Sequence, residues 1–394
     1  MRTVGTSLAR HRALAAAVLA ATVGVLPAFL AGGVAVQIRA DLGIGAARFG
    51  LAIGAFFVGA ALASRPLGRL TEHLGPSRGL RLSASCNAVA LAAIAAGARS
   101  YPLLLLLLAT GGAANGLTQP AANLMLARAI PDRRKGLAFG IKQSAVPAAT
   151  MLAGVAVPAV ALTVGWRWAF AAGAGLALVT VAIVPGHTES LTNGPEAEAV
   201  PGDGQAARAT LVWMALGIGL GATAANALGS FLVSSGVAAG LANDMAGVLL
   251  TAGSLAGIAA RLTAGALADR RDGGHLRVVG WMLTAGMIGF ALLATGRPWG
   301  HVVGAPIAFA AGWGWPGLFN LAVVRASPRA PGAATGVTQT GTYLGAGAGP
   351  LLFGLVAERS SYPTAWITML AFTLLGVLAL VVAARRLHRE GRPT

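Results

Sequence analysis

Cysteine is almost absent from this chain. Its 394 residues contain one, Cys86, so neither a disulfide framework nor a thiolate metal cluster is available, and inside an apolar segment Cys86 reads as a small core residue. Acids are scarce too, with 12 Asp and Glu against 29 Lys and Arg. No acid and none of the six histidines falls deep in an apolar run. This removes the titrating group that proton-driven carriers usually hold in their pathway, and the nucleophile with base that a membrane-embedded enzyme needs. A Walker A sequence is missing as well, since neither Lys135 nor Lys142 has the required Gly before it and Ser or Thr after it, which argues against ATP as the energy source. Charged residues make up 10% of the chain and apolar ones 56%, with a mean hydropathy of +0.72, values that exclude an ordinary soluble domain. The net charge of +17 does not mark a nucleic-acid binder, because the cations are scattered between apolar stretches rather than gathered on one face.

What is present is a series of long apolar runs. A helix needs about 20 such residues to cross the hydrocarbon core. They occupy 14–36, 49–67, 80–98, 101–127, 136–160 and 168–184, and a second set occupies 210–233, 245–264, 278–295, 301–324, 332–356 and 363–384. The N-terminal flank of Arg2, Arg10 and Arg12 imitates a secretory signal peptide, but because similar runs recur to the C-terminus the first one is read as a spanning helix. Between the sets, 187–208 carries Glu189, Glu196, Glu198 and Asp203 with Gly and Pro and reads as a solvated linker. The pattern predicts an all-α membrane protein of twelve transmembrane helices, in two six-helix pseudo-symmetric bundles at 1–186 and 209–394 joined by a cytoplasmic linker at 187–208. With the N-terminus in the cytoplasm, most loop cations fall inside, Arg261 counted among them, and Arg39, Arg48, Arg99, Arg167, Arg297 and Arg359 fall outside. Both termini are therefore expected in the cytoplasm, with the chain in a bacterial-type inner membrane.

The two sets are copies of one another. Asn123, Arg128, Pro131, Gly136, Gly140 and Gln143 recur as Asn320, Arg325, Pro328, Gly332, Gly336 and Gln339, at a separation that changes by one residue in the loop and extends back to Gly50 and Gly247. Gly68-Arg69-Leu70-Thr71-Glu72-His73 after the second helix corresponds to Gly265-Ala266-Leu267-Ala268-Asp269-Arg270 after the eighth. Parallel duplicated halves are one way of building a carrier whose site lies between them. On these residues the chain resembles the major facilitator superfamily over essentially its full length. Residues 68–78 and 265–271 are similar to that superfamily's loop motif, the second copy closely. The first departs by using Glu72 for the usual Asp and by placing Pro76 and Ser77 where basic residues are common, so that Arg78 substitutes for the displaced charge. Gly140 through Pro147, with Gly154 and Pro158, resembles the cyanate-permease-like branch. The resemblance implies a secondary active transporter that moves a small-molecule substrate by rocker-switch alternating access, and a monomer in the bilayer is expected. No cofactor and no metal are implied, no nucleic acid is bound, and the coupling ion is either a proton or none.

A carboxylate at one helix end and an arginine at a neighbour's end form a latch that can break. Glu72 with Arg128, and Asp269 with Arg325, are the expected pairs, with Gly68, Arg78, Gly265 and Arg270 completing the loops. Polar groups within a span are costly unless they face a cavity or a partner. Those of the first half are Asn115, Gln119, Asn123, Lys142 and Gln143, opposite Phe29 at the Pro27 kink. Those of the second are Asn226, Asn320, Gln339 and Tyr343, with Trp313 and Trp315 nearby. Interhelical hydrogen bonds of about 1 kcal/mol or less are the plain alternative for each amide. Lys142 is the sharpest signal, because an ammonium inside a span costs about 3 kcal/mol and its counterpart in the second half is the neutral Thr338. It either attracts an anionic or strongly polar solute or snorkels to the interface. Glycines at four-residue spacing, above all Gly341, Gly345 and Gly349, predict close helix packing. Competing functions are a proton-coupled multidrug or metabolite efflux pump and, from another class, a transport-like sensor without flux.

Overall fold

In hydrocarbon every backbone N–H and C=O must find its partner within the protein, which leaves long apolar segments the helix as their conformation. The structure, a computed structural model, describes residues 2–129, 135–185, 206–268, 273–328 and 331–392. The first half contains α1 (Arg2–Gly33), α2 (Ala35–Leu42), α3 (Ala46–Leu74), α4 (Pro76–Gly97), α5 (Tyr101–Ala129), α6 (Lys135–Gln143), α7 (Ala145–Ala156) and α8 (Trp166–Ile183). The second contains α9 (Arg208–Ala238), α10 (Asn243–Ala268), α11 (His275–Leu293), α12 (Pro298–Ile307), α13 (Pro316–Ala326), α14 (Pro331–Arg359) and α15 (Tyr362–Arg389). Among the described residues, 11 segments are long and apolar enough to cross a membrane. The twelfth expected span is α14, which is 29 residues long but carries Thr335, Thr338, Gln339, Thr340 and Thr342 on its first turns.

Two expected spans are interrupted rather than continuous. The run 136–160 divides into α6 and α7 at Ser144 and ends in a π-helical turn at Val157–Ala161. The run 301–324 divides into α12, a π-helical turn at Ala308–Gly312 and α13, with Trp313 and Trp315 at the break before Pro316. Of the expected linker, 187–205 lies outside the described residues, while the Ala206 amide donates to the Ser327 hydroxyl at 3.3 Å and the Ala207 amide to the Glu390 carboxylate at 3.1 Å. Its last residues thus belong to the second half. Cys86, expected in the core, is exposed on α4, beside apolar neighbours such as Val89 that face outward.

Small residues decide which helices meet. A Cβ added at Gly341, Gly345 or Gly349 would lie 2.2, 2.0 or 2.2 Å from the carbonyl oxygens of Ala215, Gly219 and Thr223, so the ladder lets α14 lie directly on α9, as the spacing predicts. Across the halves, the same atom at Gly50 would lie 2.2 Å from the Pro350 carbonyl, and at Gly154 2.7 Å from that of Gly247. These approaches define two seams, α3 against α14 and α7 against α10. Within the first half, Gly112 on α5 brings its backbone against α3, where an added Cβ would lie 1.9 Å from the Phe56 carbonyl.

This last contact generates a stability test. Gly112→Val should destabilise the detergent-solubilised protein by about 1–3 kcal/mol through overpacking, whereas Gly175→Val, with open space around it, should change little. Thermal unfolding of both variants measures the difference.

Candidate functional site

The halves are closed against each other at the end opposite the linker. The helix α3 begins at Gly45, which has no side chain to cap the first-turn amides. Glu358 at the end of α14 supplies the missing acceptor from the other half, taking the Ala47 N–H at 2.7 Å, where the helix dipole also favours a negative charge. Beside it, Arg39 donates to the Tyr362 hydroxyl at 2.7 Å. Below this pair the rings of Phe49 and Phe231 meet edge to face at 5.6 Å, and Phe231 lies 4.8 Å from Phe353. An apolar plug thus joins α3 to α9 and α14.

Deeper in the bundle, the two interrupted helices expose main-chain carbonyls. Pro147 has no N–H, so the carbonyl of Gln143 four residues earlier has no helical donor. Trp313 lies between the π-helical turn and α13, where no backbone N–H among the described residues donates to its carbonyl. Arg261 of α10, buried at 4% exposure, takes both oxygens. Its Nε and Nη2 donate to the Trp313 carbonyl at 3.2 and 2.8 Å, and its Nη1 donates to the Gln143 carbonyl across the junction of the halves. The guanidinium carbon is 5.9 Å from the Trp313 ring centroid. Trp313 in turn packs on Phe29 of α1 at 5.6 Å, and Phe29 on Phe57 at 6.3 Å. One residue before Gln143, the ammonium of Lys142 is buried and donates to the Gln119 carbonyl oxygen of α5. Among the described residues, the ion pairs are Arg167 with Asp41 and Arg392 with Glu390, so neither buried cation is paired with a carboxylate.

The structure therefore brings together Phe29, Gln119, Lys142, Gln143 and Trp313 from the expected set. Tyr343 lies on α14 at the other seam, close to Ser64 of α3, whose hydroxyl donates to the Ala60 carbonyl of its own helix. Asn320 and Gln339 are half-buried and Asn123 is exposed. Asn115 and Asn226 do not join the junction. The Asn115 carbonyl oxygen is turned toward Gly24 of α1, and the Asn226 amide donates to the Ala222 carbonyl of its own helix at 2.9 Å. Trp315 donates to the Gly312 carbonyl at 2.8 Å.

Of the expected latches, the Arg128 side chain, Asp269 and Arg270 lie outside the described residues, while Glu72 and Arg78 are exposed. Arg325 stands with its Nη1 3.4 Å from His275 Nε2, within the second half. Gly68 packs near Pro120, and space is open beside Gly265. Sequence reasoning missed Arg261, assigning it to the loop cations although it falls inside the run 245–264. Pro147 was the available signal for its partner, because a proline in a span frees a known carbonyl. A groove of about 530 Å³ opens elsewhere, on the outer side of the second half between α11 and α15, and no first-half residue lines it.

Comparison with known proteins adds three findings. The sequence model of the Major Facilitator Superfamily matches residues 13–234 and 209–394. A quinolone resistance transporter of Acinetobacter baumannii is 31% identical over 152 residues, covering 36% of this chain and 34% of that protein, so the likeness spans about a third of the relative's length. Crystal structures of a bacterial homolog to the human lysosomal transporter Spinster are similar in fold. The inward-facing, occupied form has a TM-score of 0.74 at 16% identity, covering 97% of this chain and 98% of that one. The unoccupied form has a TM-score of 0.72, also at 16% identity, covering 98% and 99%.

The closed end yields a labelling test. Glu358→Ala should remove a helix cap that stabilises by about 1 kcal/mol and loosen that end. In a Cys86→Ser background, a cysteine at the buried Ser234 near that end of α9 should then react faster with a maleimide; an unaltered rate would assign the closure to the aromatic plug and the Arg39–Tyr362 bond.

Proposed function

The chain belongs to the Major Facilitator Superfamily of membrane transporters, and on that premise we propose that it moves a small polar or anionic solute by alternating access. The observation that carries this reading is Lys142, a buried ammonium whose hydrogen-bond partner is the neutral Gln119 and whose charge no carboxylate offsets among the described residues. Such a charge costs about 3 kcal/mol inside a membrane span, a cost that a bound anion would relieve. In this reading residues 1–186 and 209–394 are the two rocking bodies, 187–208 connects them, and the pairs Glu72 with Arg128 and Asp269 with Arg325 latch the linker end when the opposite end opens. The cation bias supports cytoplasmic termini in a bacterial inner membrane, so the closed end faces outward and the described state is inward-facing. A monomer suffices for this cycle.

A second reading, proton-coupled export of drugs or metabolites, is supported by the likeness to the Acinetobacter baumannii quinolone resistance transporter. Glu358, bonded across the closed end, is the carboxylate that would couple protons in that case.

Flux into proteoliposomes loaded with radiolabelled anions, polar neutral solutes and quinolones, with and without a pH gradient, separates the readings. Lys142→Ala should abolish flux while the protein still inserts and elutes as a folded species. Undiminished flux in that variant would remove Lys142 from the pathway, and absence of any flux would favour a sensor.

A further inference from the structure

A guanidinium in the interior of a membrane bundle is normally neutralised by a carboxylate or held near the interface. Among the described residues no carboxylate pairs with Arg261, and its charge is met by two carbonyl oxygens exposed by breaks in two different helices, one from each half. Two of its three hydrogen bonds stay within the second half, on Trp313, and fix the plane of the group. The third, from Nη1 to Gln143, crosses to the first half, and the acceptor is available because Pro147 leaves it without a helical donor.

We propose that Arg261 is an anion-binding clamp in which an oxygen of a small oxyanion, a carboxylate or a phosphate, exchanges with the Gln143 carbonyl at Nη1. This rests on the polar or anionic solute reading and names the group that does the recognising. A guanidinium attracts a full negative charge more strongly than the dipole of a neutral carbonyl, most of all away from water, so an arriving oxyanion displaces the Gln143 carbonyl while the Trp313 bonds keep the guanidinium in place. Lys142, adjacent to Gln143 on α6, is a second buried cation, held on the Gln119 side-chain oxygen. Phe29 and Trp313 wall the junction with rings and limit water around the exchange. Loading the site removes the Arg261 bond between the halves, so that occupancy itself releases them to move. A neutral or cationic solute cannot make this exchange.

The test uses the purified full chain with Cys86→Ser and spin labels on cysteines replacing Arg12 and Arg277, exposed at the linker end of the first and second halves. Pulsed electron paramagnetic resonance reports the distance between the labels, and tryptophan fluorescence titration reports affinity for acetate, malonate and inorganic phosphate, with choline as the cationic control. At least one anion, and not choline, should shift the distance distribution of the parent protein. Arg261→Gln should show the shifted distribution without anion and bind that anion at least about tenfold more weakly, the loss expected for a charged hydrogen bond. Pro147→Ala restores a donor to the Gln143 carbonyl and removes the competitor, so the same anion should bind severalfold more tightly. A merely structural arginine would leave affinity unmoved in both variants. Equal affinity in the parent and Arg261→Gln would overturn the clamp and leave the anionic-solute reading standing, whereas no response of the parent to any of the three anions would overturn both. Weaker binding in Pro147→Ala would overturn the competition even where Arg261→Gln fails to fold.

Discussion

Helices surrounded by lipid gain little from hiding apolar side chains against one another, so how closely two backbones can approach becomes the constraint on which everything else depends. Gly341, Gly345 and Gly349 let α14 rest on α9 inside the second half, and Gly112 does the same for α5 on α3 in the first. Gly50 and Gly154 extend this contact across the junction of the halves. A seam of backbone against small residues has no interlocked large side chains to disengage. It can be tight in one state and part in another, which is what a carrier built of two bodies requires.

The polar interior follows from the same scarcity of water. Breaking a spanning helix is tolerated where the freed backbone groups are taken up by protein or face a cavity. Here the breaks at Ser144 and at Trp313 each fall three residues before a proline, and the carbonyls of Gln143 and Trp313 are taken up by one arginine. Charge and helix interruption therefore explain each other: the carbonyl dipoles make the buried guanidinium tolerable, and the guanidinium makes the interruptions tolerable. The helix ends at the far side use the opposite polarity, with Glu358 meeting the bare amides of α3.

Much of this architecture was legible in the residues alone. Run lengths give the spans, the recurrence of Asn123 through Gln143 as Asn320 through Gln339 gives the duplication, and four-residue glycine spacing gives the α9 and α14 contact, because each is a periodicity that side chains carry themselves. The interruptions were not legible as such, since Pro147 and Pro316 sit in runs whose composition otherwise reads as unbroken helix. Lys142 stood out because its counterpart is neutral, but its partner Gln119 lies on another helix and only packing brings them together. Arg261 escaped because a cation a few residues from a helix end looks like a topology signal, and because its acceptors are main-chain atoms, which carry no residue signature. The two span asparagines differ: Asn226 satisfies its amide on the Ala222 carbonyl of its own helix, whereas the Asn115 side-chain oxygen is buried without a hydrogen-bond partner among the described residues. The expected latches belong to the linker end, whereas the bonds seen between the halves at their tips belong to the other end and use Arg39, Tyr362 and Glu358.

The duplication also exposes a divergence. By the repeat offset, Arg261 corresponds to Ser64, Gln143 to Gln339 and Pro147 to Tyr343, so the seam bridged by the Arg261–Gln143 bond has as its image a seam with only neutral side chains at these positions. Two architecturally equivalent edges thus differ in how ions can act on them: one responds to a charged visitor and the other is indifferent to it. A fold that began as two equal copies has become chemically lopsided, with a cation at one edge and none at the equivalent positions of the other.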